Sequence, residues 1–395
     1  MSDLERWRRE FPILEKTVYM ISNSLGAMPR AAADSLAEYA RTWASRGVRA
    51  WEERWWEMAA EVGNKIGRII GAPAGTVSMH ENVTTAEMVA LSCLLPAGAR
   101  RKIVCLEMDF PSVIYLYRAQ EALGFEVVLV PAEADFSVRL DRILEAIDER
   151  TAVVGLSHVL FRSSCIVDPR PVVERAHAVG AAVILDTYQS AGIIPLDVTG
   201  LGVDFATGGC LKWLCGGPGN AFLYTRPDLL KTLRPRFTGW LAHTNPFAFD
   251  IGPPDLHADA RRMMNGTPSI PAYYAALPGL DIVLDVGVER IRDTSVRMTK
   301  HLLSLVDRHG FTSVTSRDPA RLAGTVAIDV PEARAVSRTL KARDFVVDYR
   351  PGVGVRASPH FYNTFEELDR LMAEIARIVD TKDYDAGAQP ASPVT

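Results

Sequence analysis

The feature that most constrains the fold is an alternation of short apolar strands and helical segments between about residues 100 and 225. One helical run, residues 113–123, separates the first two strands, and another starts at Pro171 and stops at Gly180. Strands separated by helices predict a largely parallel sheet that is covered by helices on both faces. The predicted strands are residues 103–107, 127–131, 152–157, 182–186, 204–207 and 220–225.

At 395 residues, the chain is too long for one simple core, which predicts two domains. After Pro271 the pattern changes to a long helix, residues 273–309, then short strands and a final helix at residues 364–379, as in a small α+β domain. The short strands are predicted at residues 324–330, 345–349 and 354–356. We predict an N-terminal arm near the active site (1–30), a large domain (31–270), a smaller C-terminal domain (271–382) and a disordered tail (383–395).

Composition excludes several classes of function. The formal net charge is −4 and no long segment rich in lysine and arginine occurs, so we expect no nucleic-acid partner. No apolar stretch has the length of a membrane span, and the charged residues 1–10 do not resemble a signal peptide. The five cysteines have no metal-like spacing, which predicts no metal site and a reducing, cytoplasmic location.

The residues that carry chemistry centre on one lysine. Lys212 stands between a strand-like run, residues 203–207, and a turn rich in glycine, while Asp186 ends an upstream apolar strand. A lysine that forms a Schiff base and a carboxylate that holds a pyridinium nitrogen are the minimal equipment of a pyridoxal phosphate (PLP) enzyme. In parallel sheets, ligands bind beyond the carboxyl ends of the strands, where both Asp186 and Ser157 are predicted to lie.

Further segments offer the supports that PLP needs, and each has a simpler alternative. Residues 82–87 place hydroxyl and backbone N–H groups at the start of a helix, which suits a phosphate but equally suits an ordinary threonine N-cap. Phe110 can stack on the cofactor ring or be a core residue beside a turn. Arg356 ends a strand, where it can bind a substrate carboxylate or be solvated like most arginines.

A set of short segments, among them SHVLFRS at residues 157–163 and GWLAH at residues 239–243, follows one family pattern in order. The other segments are residues 19–26, 110–112, 266–270, 348–351, 355–356 and 361–363. Together they resemble the kynureninases, in the class V branch of the fold type I, aspartate-aminotransferase-like PLP enzymes. The resemblance runs from residue 19 to residue 363 and so covers nearly the whole chain.

The resemblance implies an α/β fold with a mainly parallel seven-stranded sheet, PLP as the cofactor, and a homodimer with active sites at its interface. Lys212 would carry the cofactor, Asp186 would pair with the pyridinium, and Phe110 would stack on the ring. Arg356 would bind the α-carboxylate of a small amino-acid substrate. Also implied are Val83, Thr84, Thr85, Ser157 and Gln189 around the cofactor, Trp240 and Thr267 reaching the phosphate from the neighbouring subunit, and Ser24, Tyr19 and His158 beside the substrate.

Three positions depart from the kynureninase pattern. Leu211 replaces a tyrosine directly before the lysine, Gln189 replaces a histidine and resembles the cysteine desulfurase branch, and Val113 replaces an aspartate. No cysteine follows Cys215, which argues against a cysteine nucleophile. The expected activity is hydrolytic Cβ–Cγ cleavage of kynurenine or a related β-substituted amino acid. The alternatives are other class V chemistry (aminotransferase, epimerase, β-lyase or decarboxylase) and, ranked lower, a non-catalytic accessory protein.

Overall fold

A computed structural model describes residues 4–95 and 98–384, which fold into three sheets with helices packed around them. The strands are β1 (Val18–Tyr19), β2 (Val77–His80), β3 (Lys102–Leu106), β4 (Glu126–Val130), β5 (Thr151–Ser157), β6 (Ala182–Asp186), β7 (Phe205–Gly209), β8 (Ala221–Thr225), β9 (Val326–Ile328), β10 (Phe345–Val346), β11 (Asp348–Arg350) and β12 (Gly354–Ala357). The helices are α1 (Glu5–Arg8), α2 (Arg30–Arg46), α3 (Trp56–Ile70), α4 (Val83–Leu94), α5 (Pro111–Ala119), α6 (Leu140–Ala146), α7 (Arg170–Ala178), α8 (Val198–Leu201), α9 (Ile270–Val286), α10 (Val288–Arg308), α11 (Ala333–Ala342) and α12 (Phe365–Thr381). No helix within the two described ranges is long and apolar enough to cross a membrane. Of the predicted disordered tail, residues 385–395 lie outside the described residues.

The largest sheet has seven strands in the order β2-β8-β7-β6-β5-β3-β4. Strands β7, β6, β5, β3 and β4 run parallel, whereas β8 is antiparallel to both of its neighbours. The predicted α/β fold with a mainly parallel sheet is confirmed, and the six predicted strands of this sheet are present with ends that shift by at most two residues. The sequence pattern did not predict strand β2, because this strand has only four residues, of which Ser78 and His80 are polar.

Helices cover both faces of this sheet. In β5, Val153 belongs to a core that includes side chains of α4 and α5, whereas Val154 belongs to a core that includes side chains of α3, α7 and α9. Successive side chains of a strand point to opposite faces, so the two faces of the sheet are both apolar and both covered. The alternation of strands and helices in the sequence predicted this arrangement.

A second core surrounds the antiparallel sheet β11-β12-β9 and helices α10, α11 and α12. These elements form the smaller α+β unit that the sequence predicts. The N-terminal segment joins this unit, because β1 pairs in parallel with β10 and both Val18 and Met20 are buried in the second core. The chain then passes from β1 directly to the loop around Ser24.

The single long helix predicted at residues 273–309 is wrong, because Gly287 divides it into α9 and α10. Gly287 has a φ of 85°, a backbone conformation that glycine adopts without strain. Helix α9 lies in the core of the large sheet, whereas Met298 and Leu302 of α10 lie in the second core. We therefore propose that the boundary between the two domains lies at Gly287 rather than at residue 270.

Candidate active site

A cavity of about 790 Å³ lies beyond the carboxyl ends of β5 and β6 and is closed on another side by β11 and β12. It brings together side chains from both ends of the chain. The predicted site residues that line it are Ser24, Val83, Thr84, Thr85, Phe110, Ser157, Asp186, Gln189, Lys212 and Arg356. Most of the residues selected by sequence therefore share one chamber.

The amine of Lys212 lies in this cavity near two aromatic rings. Its Nζ is 4.4 Å from the ring centroid of Tyr188 and 5.8 Å from that of Phe110. Burial lowers the pKa of Lys212 to about 8, although the nearby charge of Asp186 acts in the opposite direction. An appreciable fraction of the amine is therefore unprotonated near pH 8, and the unprotonated amine is the form that attacks a carbonyl carbon.

The turn after β7 fixes the backbone on both sides of this amine. The carbonyl of Lys212 accepts a hydrogen bond from Cys215 N at 3.1 Å, and the carbonyl of Leu211 accepts one from Gly26 N at 2.8 Å. The N-terminal loop is thereby tied to the lysine turn. Cys215 is buried, and burial raises the pKa of its thiol to about 12. In the part of the chain that the structure describes, no cysteine lines the cavity.

Asp186 stands at the end of β6 with one carboxylate oxygen engaged. Its Oδ1 accepts a hydrogen bond from Tyr188 N at 2.7 Å, and its Oδ2 has no hydrogen bond to any described residue. Burial raises the pKa of Asp186, while the Tyr188 N–H group and the charge of Lys212 oppose that shift. The unengaged oxygen is available to a protonated ring nitrogen in the cavity.

Helix α4 begins at the cavity wall and is capped by Asn82. Asn82 Oδ1 accepts a hydrogen bond from Thr85 N at 3.0 Å, so that the cap is an asparagine and not the threonine of the simpler alternative. Val83, Thr84 and Thr85 line the cavity at this first turn. The N–H groups at the start of a helix carry partial positive charge, and they suit an anionic group such as a phosphate.

Arg356 lies on β12 with its side chain 2% exposed. Its Nε donates to Asp348 Oδ1 at 2.8 Å, its Nη2 donates to Asp348 Oδ2, and its Nη1 donates to the carbonyl of Phe161. A nitrogen of Arg350 lies 3.4 Å from the same Asp348 carboxylate. Two guanidinium groups thus share one carboxylate, which leaves positive charge at this end of the cavity and suits one carboxylate of a ligand.

Two predicted substrate-binding residues lie outside the cavity. His158 directly follows Ser157, and neighbouring residues of an extended chain point to opposite sides. Burial lowers the pKa of His158 to about 4, so the imidazole is neutral. The hydroxyl of Tyr19 donates to the carbonyl of Leu25 at 2.8 Å and so supports the loop around Ser24 from behind. The placement of His158 and Tyr19 therefore does not match the predicted substrate contacts.

Trp240 and Thr267 are exposed on the surface of the chain. Trp240 packs edge to face against Trp56 and Phe247, with ring centroids 5.8 Å and 5.6 Å away. Thr267 is exposed. Neither residue lines the lysine cavity of its own chain.

Sequence reasoning missed five polar residues of the cavity wall, namely Asn23, Asn82, Ser112, Tyr188 and Arg350. Both amide atoms of Asn23 are buried, and neither has a hydrogen-bond partner among the described residues. Because a buried amide without partners is costly, Asn23 fits a cavity that holds a polar ligand. The signal that could have found all five is their position inside segments that were already selected for neighbouring residues.

Fold and site together define an α/β protein in which a lysine, an aspartate and an arginine from two cores meet in one chamber at the strand ends. A family model described as "Aminotransferase class-V" matches residues 18–371, most of the chain. The chain belongs to this family. The predicted class V branch is thereby confirmed.

Individual relatives agree with this assignment. The kynureninase of Pseudomonas fluorescens is 30% identical over 95% of this chain and 92% of the relative, and a kynureninase of Bacillus cereus is 30% identical over 97% and 93%. The "Uncharacterized aminotransferase YcbU" of Bacillus subtilis (strain 168) is also 30% identical, over 94% of this chain and 97% of the relative.

Solved structures confirm the fold. The apo structure of a cysteine desulfurase from Thermococcus onnurineus NA1 has a TM-score of 0.84 at 21% identity and covers 95% of this chain and 98% of that chain. A mutant of C-DES with glycine covalently linked to its PLP cofactor has a TM-score of 0.84 at 22% identity and covers 93% and 98%. At these identities, the likeness concerns the fold alone.

Proposed function

We propose that this class V enzyme binds PLP and hydrolyses the Cβ–Cγ bond of kynurenine or a related β-substituted amino acid. The observation that carries the proposal is the placement of Lys212, Asp186 and Arg356 around one chamber, with the pKa of the lysine lowered to about 8. Membership of the class V family supports PLP as the cofactor, and the kynureninase relatives at 30% identity support the reaction.

The residues of the chamber fit the cofactor. The unengaged oxygen of Asp186 would hold the ring nitrogen, Phe110 and Tyr188 would lie against the ring, and the first turn of α4 would hold the phosphate. The unsatisfied amide of Asn23 would bind a polar atom of the cofactor or the substrate. When bound to Lys212, PLP supplies an electron sink for negative charge that develops beside the amino group.

We propose that the substrate binds at the end of the cavity that Arg350 and Arg356 line. Arg356 would bind the α-carboxylate, since Asp348 fixes the plane of its guanidinium group. The amine of Lys212 can accept the α-proton and return it, because a pKa of about 8 leaves both of its protonation states populated near neutral pH. Tyr188 is the tyrosine of the described cavity wall, and burial raises the pKa of its phenol. Its hydroxyl therefore stays protonated at neutral pH, and we propose it as the group that takes the place of the family tyrosine that Leu211 replaces.

We also propose a homodimer in which Trp240 and Thr267 of one subunit reach the phosphate bound by the other. The proposal is supported by the exposed aromatic surface around Trp240, where Phe247 and Phe249 are 55% and 74% exposed. Apolar surface of this kind is common at subunit interfaces. Sedimentation of the protein, with Trp240→Ala as the interface variant, tests the dimer. The cytoplasmic location stays a prediction from the five free cysteines.

A second candidate is another class V reaction on an amino acid: transamination, epimerisation, β-elimination or decarboxylation. It is favoured by Leu211, which has no group for acid–base work, and by the relative named as an aminotransferase at the same 30% identity. A non-catalytic PLP-fold protein ranks below both, because Lys212 and Asp186 are both present in the cavity.

The discriminating experiment is product identification with the PLP-loaded protein. Kynurenine, 3-hydroxykynurenine and a panel of other amino acids are incubated with the enzyme, and products are identified by chromatography and mass spectrometry. Anthranilate and alanine from kynurenine are the expected products, whereas a keto acid without anthranilate would contradict the hydrolysis and support a transaminase. Lys212→Ala should abolish product formation, and Lys300→Ala, at an exposed lysine of α10, is the matched control.

A further inference from the structure

Glu87 places a carboxyl group behind the proposed cofactor site. It lies in α4, just beyond the residues that line the cavity, and its surface is 1% exposed. Its Oε2 accepts a hydrogen bond from the Tyr117 hydroxyl at 2.8 Å, and its Oε1 lies 3.1 Å from the Thr207 hydroxyl. Nothing in the proposed chemistry uses this group.

Thr207 lies between Glu87 and Asp186, because its hydroxyl contacts Glu87 and its strand pairs with the strand of Asp186. Asp186 of β6 pairs in register with Thr207 of β7 on one side and with Ser157 of β5 on the other. The backbone N–H of Ser157 in turn donates to Asp109 Oδ1 at 3.0 Å. The carboxyl groups of Glu87, Asp186 and Asp109 therefore border the same stretch of buried sheet.

The sheet is shaped to admit the tyrosine that binds Glu87. A Cβ atom at Gly155, two residues before Ser157 in β5, would lie 2.4 Å from the ring of Tyr117. Glycine at this position leaves the space that the ring occupies, and the ring is fully buried. The hydrogen bond from Tyr117 to Glu87 is therefore built into the packing of α5 against β5.

The three carboxyl groups have unequal means of holding a negative charge. Asp109 accepts two backbone N–H groups, and Asp186 accepts one and faces the amine of Lys212. Glu87 has only hydroxyl partners, and a hydroxyl can donate to a carboxylate or pair with a neutral acid. Because neighbouring carboxylates in a buried site cannot all ionise, the proton is expected on the group with the weakest support.

We propose that Glu87 is a positioning residue that carries a proton at neutral pH, so that Asp186 keeps the negative charge for the cofactor ring. The neutral acid satisfies Tyr117 and Thr207 without placing a second charge beside Asp186. The functional meaning of this proposal rests on the proposed role of Asp186. The proton on Glu87, however, is a property of the protein without its cofactor.

The surroundings of Glu87 combine burial with like charges. Burial is the main cause that raises the pKa of Glu87 to about 8, the charges of Asp186 and Asp109 add to it, and the hydrogen bonds from Tyr117 and Thr207 oppose it. The titratable groups that face Glu87 are Tyr117 of α5, Asp186 of β6, Asp109 after β3, and Cys105 of β3, whose pKa burial also raises.

This placement of the proton predicts a pH dependence of folding. The folded pKa of Glu87 lies above the value of about 4.3 that glutamate has in an unfolded chain, so the folded state binds more protons between pH 4.3 and pH 8. The stabilising contribution is complete below pH 4.3, declines as the pH rises above that value, and is lost once the pH has risen through 8. Glu87→Gln imitates the neutral acid and lacks this loss. The folding constant of the wild type relative to the variant should fall about tenfold per pH unit between pH 5 and pH 8.

The test is the difference infrared spectrum between the wild-type protein and Glu87→Gln at pH 7 and pH 10, without cofactor. The expected difference at pH 7 is the carbonyl stretch of a protonated carboxylic acid, which is lost at pH 10. A carboxylate band in its place at pH 7 would overturn the proposal. Glu366→Gln, at an exposed glutamate of α12, is the matched control and should remove only a carboxylate band.

A second variant keeps the test decisive if Glu87→Gln folds poorly. Tyr117→Phe keeps the buried ring and removes the hydrogen bond that lowers the pKa of Glu87. The acid band should then persist to a higher pH than in the wild type, and an unchanged or lower midpoint would overturn the proposal. Because these measurements need no cofactor, a protein that fails to bind PLP would refute the proposed function and leave the result for Glu87 readable.

The positioning role itself has a separate readout in the PLP-loaded protein. The visible absorption of the cofactor should show a pH-dependent change in the wild type that is absent from Glu87→Gln, because only the wild type gains a charge behind Asp186 at alkaline pH. Identical pH profiles in the two proteins would overturn the positioning role.

Discussion

Asp348→Asn leaves the buried guanidinium group of Arg356 without a carboxylate. The side chain of Asp348 is 0% exposed and that of Arg356 is 2% exposed, and two nitrogens of the arginine donate to the two oxygens of the aspartate. Asparagine keeps one acceptor, turns the other into a donor, and removes the negative charge. The arginine retains the carbonyl of Phe161 as a partner.

The expected loss in the free energy of unfolding follows from the burial of this ion pair. A hydrogen bond to a charged group contributes about 1.5–3 kcal/mol, and removing one partner of a buried ion pair costs about 3–5 kcal/mol. We therefore expect Asp348→Asn to lower the free energy of unfolding by about 3–5 kcal/mol. The control is Asp307→Asn, which breaks the pair of Asp307 (60% exposed) with Arg317 (48% exposed). Exposed pairs contribute about 0.2–1 kcal/mol, so the control should change little.

The assay is urea denaturation of the wild type and both variants, followed by circular dichroism under identical conditions. Binding of an amino-acid substrate to the folded Asp348→Asn protein provides a second readout, since an unfixed Arg356 should bind the α-carboxylate more weakly. A loss below about 1 kcal/mol, equal to that of the control, would refute the claim that Asp348 holds a desolvated arginine in place.

Further changes test other parts of the site. An amine-reactive reagent should modify Lys212 with a midpoint at about pH 8, measured by mass spectrometry of the peptide; a midpoint near the ordinary lysine value of about 10.4 would contradict its burial. Leu211→Tyr should raise anthranilate formation from kynurenine by about 10²-fold, and no rise with PLP still bound would contradict the interpretation of this position. Asn82→Ala should lower the unfolding free energy by about 1 kcal/mol in urea denaturation, because α4 loses its cap; an unchanged value would contradict that cap.

The sequence predicted those parts of the fold that depend on the local pattern of apolar and polar residues. Apolar strands separated by helices predicted the parallel part of the sheet, and Asp186 and Lys212 were found because each follows such a strand. The edge strand β2 was not found, since its place depends on pairing with β8, far away in the chain. The break at Gly287 was missed because the apolar pattern continues across it while the packing partner changes.

The sequence predicted most of the residues that line the cavity, but not how their side chains are held in place. Motif spacing selected Arg356, but the fixed plane of its guanidinium group depends on Asp348 and on a carbonyl from a distant loop. Ser157 and His158 were selected together, although alternation along an extended chain allows only one of them to face the cavity. The contact of Glu87 with Tyr117 joins α4 to α5 on one face of the sheet, and no local signal in the sequence predicts it.

Covalent binding of PLP to Lys212 can be measured by chemical trapping. The protein is loaded with PLP, reduced with borohydride, digested, and mapped by mass spectrometry. We expect a pyridoxyl group on Lys212 and none at this site in Lys212→Ala. A label on a different lysine, or no label on a folded and PLP-treated protein, would show that Lys212 does not bind the cofactor.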